Sequence, residues 1–142
     1  MANIPDSVKK RDILYGDSTD PEELSELGGQ YLAEERFWEA VEFYDAAKDD
    51  TGIAKVKNAG IEMADSYLLR RLEKMEIGNV TESDWLSLAE NALTAEKIRD
   101  AIEGFERGGQ SERAEDLWSS LNKIEEVSEN EGEEGEGEED ES

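Results

Sequence analysis

Leu24-Ser25-Glu26-Leu27-Gly28-Gly29-Gln30-Tyr31, followed by Phe37-Trp38-Glu39-Ala40-Val41-Glu42-Phe43-Tyr44, is the stretch whose reading decides the fold. Its apolar and small residues recur at helical spacing in two blocks with a short gap between them. Sixty-one residues later the pattern returns as Trp85-x2-Leu88-Ala89-x2-Ala92, then Ile98-x2-Ala101-x3-Phe105-x2-Gly108. Eight positions align at one offset without a gap. Two helices folded back on each other approach closely only where side chains are small. Gly28 and Ala89 let the partner helix in, and Ala40 and Ala101 occupy the facing contact. Tyr31, Phe37, Tyr44, Trp85, Ile98 and Phe105 fill the space around those contacts.

Caps and stops extend the reading along the chain. Asp20 caps the first helix and Pro21 fits its first position. The second runs from about Arg36 to Lys48. From Gly52 to about Glu76 the stripe Ile53, Val56, Gly60, Met63, Tyr67, Leu68, Leu72, Met75 runs without a turn cluster. It predicts one long helix, the alternative being two helices that break near Gly60 or Asp65. Thr81 and Asp84 resemble a capping box, and Trp85, Leu88, Ala89, Ala92 and Leu93 form the apolar face behind it. Thr94 is a second capping candidate, ahead of Ile98, Ala101, Ile102 and Phe105. Gly108-Gly109 stops that helix. Ser111 opens a sixth, with Ala114, Leu117, Trp118, Leu121 and Ile124 inward.

The two units resemble the tetratricopeptide repeat, whose pattern runs W-x2-L-G-x2-Y, then A-x3-F, then P. Leu24 stands for the Trp and Tyr44 for the Phe in the first unit. The second has Trp85 but Ala89 and Ala92 in place of the Gly and Tyr, and neither carries the closing Pro. The resemblance covers about 21–50 and 83–109. Between them the slot for an A-x3-F match holds Leu72 and Glu76, so the middle repeat is expected to be degenerate or fused. The resemblance implies an all-α fold of about six helices, paired as αα-hairpins in a right-handed superhelix. It also implies a protein or peptide partner held on the groove lined by the first helix of each hairpin. Lysine and asparagine clamps for a terminal carboxylate occur in some members; Ser25 and Gly29 occupy the positions where one would start, so that specificity is not carried over.

Three segments are expected: an irregular arm over 1–19, a helical repeat domain over 20–127 and a disordered acidic tail over 128–142. The tail follows from composition, because 129–142 holds only Glu, Asp, Gly, Asn and Ser and has no apolar surface to bury. Of the net charge of −24, nine carboxylates and no bases lie in 129–141, leaving −15 for the rest. So acidic a chain argues against direct binding of nucleic acid or anionic lipid. With no Cys and no His, disulfides, thiol nucleophiles, His-based triads and Cys/His zinc sites are excluded. No glycine-rich phosphate loop follows a strand signal. The expectation is therefore a cytoplasmic interaction protein, not an enzyme, with no cofactor and no metal.

Two sets of residues are candidates for partner binding. Gln30 and Glu34 on the first helix, Lys55 and Asn58 on the third and Asn91 on the fourth lie where the resemblance implies a groove; the ordinary reading is solvated polar side chains. Lys55, Lys57, Arg70, Arg71 and Lys74 concentrate the bases of an acidic chain. They either pair along their own helix with Glu62, Asp65, Glu73 and Glu76, or receive an acidic partner or the chain's own tail. Trp38 falls off the Phe37-Ala40-Tyr44 face, which makes it a binding anchor or a contact for the arm. Trp85 and Trp118 read as core. The tail itself, shielding a basic partner, is the alternative functional element.

The register makes a direct prediction. Ala40→Leu and Ala101→Leu each destabilise by about 1–3 kcal/mol through overpacking of a close helix crossing, measured by urea unfolding. Two variants that unfold like the parent would show the hairpin register to be misassigned.

Overall fold

The computed structural model describes residues 20–124; the expected arm and acidic tail lie outside them. Seven helices and no strand are present among the described residues. They are α1 Pro21–Ala33, α2 Phe37–Ala46, α3 Asp50–Glu62, α4 Ser66–Lys74, α5 Glu82–Thr94, α6 Ile98–Arg107 and α7 over 111–124. The odd-numbered helices begin at 21, 50, 82 and 111, in steps of 29, 32 and 29. The first two steps make up the 61-residue offset. Helices α1 with α2, α3 with α4, and α5 with α6 pack as hairpins, and α1–α3, α3–α5 and α4–α6 pack side by side.

The long helix expected over 52–76 is therefore corrected to two helices, and the middle repeat is a full hairpin. The break falls at the second of the two sites considered. Ala64 adopts φ of +54°, the Asp65 N–H donates to the Gly60 carbonyl at 2.8 Å, and the Asp65 carboxylate accepts from the Leu68 N–H and caps α4. The same ending closes every hairpin turn. Glu35, Lys48, Ala64, Glu76, Glu96 and Gly109 are all left-handed. The next N–H in each case bonds a carbonyl five residues back, as in Arg36 to Tyr31 and Lys97 to Ala92. This is the Schellman closure. Five of the six left-handed residues are not glycine, so at those five breaks the left-handed position carries no glycine signal.

The core is double. Leu24, Tyr31, Ala40, Val41, Phe43 and Tyr44 of the first hairpin bury with Ile53, Val56, Leu68 and Leu72 of the second. Ile61, Ala64 and Leu69 of that same second hairpin bury with Trp85, Leu88, Ala101, Phe105 and Ala114. The middle hairpin thus divides its side chains between two cores, which is how neighbouring repeats hold each other. Several expected inward residues turn outward: Met63, Tyr67, Met75, Trp118 and Ile124 are 48, 60, 56, 47 and 63 % exposed. Tyr67 and Met75 leave the stripe because the reversal at Ala64 resets the helical phase, and Met63 is the C-cap residue of α3, at its exposed end. Trp118, one turn beyond Ala114 on the same face of α7, lines an open cavity with Ala114, and the Arg99 guanidinium lies 5.8 Å from its ring. Thr94 caps nothing. It is the last residue of α5, its hydroxyl donates to the Glu90 carbonyl, and α6 has Lys97 at its N-cap with no side-chain cap.

Small residues set the close contacts, with partners that differ between hairpins. A Cβ on Gly52 would lie 2.1 Å from the Tyr44 ring, and one on Gly28 3.0 Å from the same ring, so the ring is wedged between α1 and α3. In the third hairpin a Cβ on Gly104 would meet Ala89 and the Trp85 carbonyl, both at 2.8 Å. Gly60 faces only the tip of Leu68, a side chain able to rotate. Gly52→Ala and Gly104→Ala are therefore expected to destabilise by about 1–3 kcal/mol despite the gain in helix propensity, whereas Gly60→Ala stays near the parent. Thermal melts of the three variants test this order.

Candidate functional site: a basic and aromatic surface on α2 and α4

Helix α4 is amphipathic in an unusual sense. Leu68, Leu69 and Leu72 point into the two cores, and the outward face carries Tyr67, Arg70, Arg71, Lys74 and Met75. These five outward residues line a cavity of about 510 Å³, and no carboxylate is among them. In a chain with 39 acidic and 15 basic residues, a cavity walled by three cations, a phenol and a thioether stands apart.

Each side chain is held by its neighbours. The Arg71 guanidinium lies 3.9 Å from the centroid of the Trp38 ring and donates to the Tyr67 hydroxyl at 3.5 Å. Trp38 is half-buried and packs against the first core, so the stacking joins α2 to α4. A contact of this kind contributes about 0.5–1 kcal/mol where exposed. Arg70 reaches across to Glu103 on α6 at 3.5 Å. Glu103 is shared with Arg107 at 2.9 Å, and Arg107 lies 5.0 Å over the Trp85 ring. Among the described residues Arg71 and Lys74 form no ion pair. A second cavity of about 500 Å³ adjoins on the far side of Arg71, between Trp38, Val41, Ala46 and Ile77, with Glu42 and Asp45 at its rim. Carboxylates therefore flank the surface on the α2 side, and cations occupy its α4 side.

The sequence candidates separate in space. Trp38, Arg70, Arg71 and Lys74 come together here. Lys55 lines a different cavity with Ser25, Tyr44 and Asp49. Asn58 and Glu34 are exposed, and Glu34 ends α1. Asn91 donates its amide to the Ile61 carbonyl at 2.8 Å and so joins α5 to α3. Gln30 keeps a buried Oε1 with no hydrogen-bond partner among the described residues. Tyr67 and Met75 were assigned to the helical stripe by sequence; their membership of the surface follows from the phase change at Ala64.

Ion pairs along α3 and α4 do not follow the expected local spacing. Lys57 crosses to Asp84 on α5 at 2.9 Å and also donates to the Gly78 and Asn79 carbonyls, closing the 75–81 connection. Burial opposes ionisation of Asp84, but hydrogen bonds from Lys57 and the Thr81 N–H outweigh it, and its pKa falls below the usual carboxylate value. A depressed folded-state pKa contributes stability that is complete above the unfolded value, about 3.9, and is lost as pH falls through the folded value. Asp84→Asn should therefore cost about 1–2 kcal/mol at pH 7, and the gap to the parent should close below about pH 4. Unfolding curves at both pH values check the sign.

Among the described residues no helix is long and apolar enough to cross a membrane. No family model, curated protein or solved structure matches the chain.

Proposed function

We propose that the chain is a protein–protein interaction module, an adaptor or scaffold, and that it holds an acidic protein segment on the surface formed by Trp38, Tyr67, Arg70, Arg71 and Lys74. The observation that carries this reading is the cavity on α4 walled by three cations and no carboxylate. Its chemistry is complementary to a carboxylate-rich peptide with one apolar or aromatic residue. Arg71 and Lys74 supply the charge, and Tyr67, Met75 and the stacked Trp38 supply a surface for the apolar anchor. Support for a tetratricopeptide-like superhelix is the regular succession of hairpins with the odd-numbered helices side by side. In that architecture the basic surface lies on the second helices of the hairpins, opposite the groove that the resemblance implies. The charge-shielding reading rests on residues outside 20–124 and has no comparable observation behind it.

The test uses the full chain and two fluorescein-labelled twelve-residue probes, one of Glu and Gly with a single Phe, the other with Lys for Glu. The acidic probe should bind and the basic one should not bind at this surface. Arg71→Ala and Lys74→Ala should each weaken the acidic probe by about 1.5 kcal/mol, roughly tenfold. Added salt should weaken binding further. If Asn58→Ala or Glu34→Ala abolishes binding while the α4 variants leave it intact, the site belongs on the first helices instead.

A further inference from the structure

Topology places the end of α7 near the basic surface. The helices alternate in direction from one short reversal to the next, so α1, α3, α5 and α7 run one way and α2, α4 and α6 the other. The C-terminal end of α7 therefore lies at the same end of the stack as the N-terminal end of α4, where Tyr67 and Arg70 sit. Helix α7 packs on α6 through Ala114 and through Arg113, 4.0 Å over the Phe105 ring, and α6 packs on α4. Two helix spacings, about 20 Å, thus separate α7 from α4. The 18 residues of 125–142 span up to about 60 Å when extended.

We infer that the acidic segment 129–142 of the same chain occupies the Tyr67–Lys74 surface and competes there with an acidic partner. The inference rests on the reading of this surface as a carboxylate site. Charge complementarity selects the occupant: nine carboxylates and no base in 129–141, against a cavity with three cations and no carboxylate. Tethering raises the effective concentration of a segment that reaches its site into the millimolar range, so even a weak ionic contact competes. The segment carries no aromatic or aliphatic side chain, so it fills the charged part of the surface and leaves the Tyr67 and Met75 contacts to a partner that has them. An external segment with both features displaces the internal one.

Zero-length carbodiimide coupling of the dilute full chain, mapped by mass spectrometry, tests this. Lys74 should join to a carboxylate within 129–141 of its own chain, with the yield falling at least fivefold in Arg70→Gln or at 0.5 M salt. Coupling of the segment only to Lys97 or Lys123, or only between two chains, would overturn the inference. A second arm replaces the nine carboxylates with Gln and Asn in the full chain. The Glu/Gly/Phe probe should then bind at least tenfold more tightly than to the parent; equal binding counts against the inference. The arms separate the two readings. Probe binding without Lys74 coupling leaves the site standing and removes the internal occupant. Lys74 coupling without probe binding at either chain retains the internal contact and removes the partner site.

Discussion

Six reversals of the chain depend on one local arrangement: a residue held at positive φ just past a helix end, with the following N–H closed onto a carbonyl five residues back. This closure satisfies carbonyls that a helix terminus leaves without partners, and it turns the chain within a few residues. The next helix has little choice but to run back along the previous one. At Glu35, Lys48, Ala64, Glu76 and Glu96 the left-handed conformation is unfavourable for an L-residue by about 1–2 kcal/mol. The hydrogen bonds and the packing that each reversal permits offset it. Everything above this level, from the Tyr44 wedge to the assembly of the basic surface, requires the reversals to be where they are.

This explains how far the sequence could be read. Terminal hairpins were legible because their small and large residues alternate at fixed positions, and because Asp20, Pro21, Thr81 and the Gly108-Gly109 pair announce ends. The middle hairpin was not. Ala64 and Glu76 end helices without being glycine, and the position matching Ala40 and Ala101 holds Leu69, so neither the stop nor the repeat pattern showed. Asp65 was the available sign, a capping residue three positions before Leu68. Because a helical phase continues through an unnoticed break, the sequence stripe takes in Tyr67 and Met75, which lie outside. Trp38, Arg70, Arg71 and Lys74 could be singled out by type, as an off-face aromatic and a run of bases in an acidic chain. That they meet depends on α4 turning back beside α2, which linear spacing cannot reveal.

The candidate surface owes its character to what the cores remove from view. Three leucines of α4 are taken by the two cores, and the exposed remainder holds Tyr67, Arg70 and Lys74, with Glu73 toward α5 and α6. Glu103 pairs with Arg70 and Arg107, and Glu73 accepts from the Trp85 indole N–H at 2.8 Å, while Glu42 and Asp45 line the adjoining cavity with Arg71. Among the described residues Arg71 is oriented by the Trp38 ring and forms no ion pair. A guanidinium held in place beside an ammonium group suits carboxylate recognition, since little ordering remains to be done on binding.

The division of the middle hairpin between two cores also bears on how the molecule opens. In a stack where each unit touches only its neighbours, the ends can come apart alone. Here α3 and α4 belong to both cores, so the first hairpin can open while Ile61, Ala64 and Leu69 stay packed against α5 and α6. Equally, α5–α7 can open while Ile53, Val56, Leu68 and Leu72 hold the other side. Only loss of both cores frees the middle. Amide protons of α3 and α4 should thus be the slowest to exchange with solvent. Tyr67, Arg70, Arg71 and Lys74 would then stay on a structured helix when either end loosens, whereas Trp38, stacked on Arg71, leaves with the first hairpin.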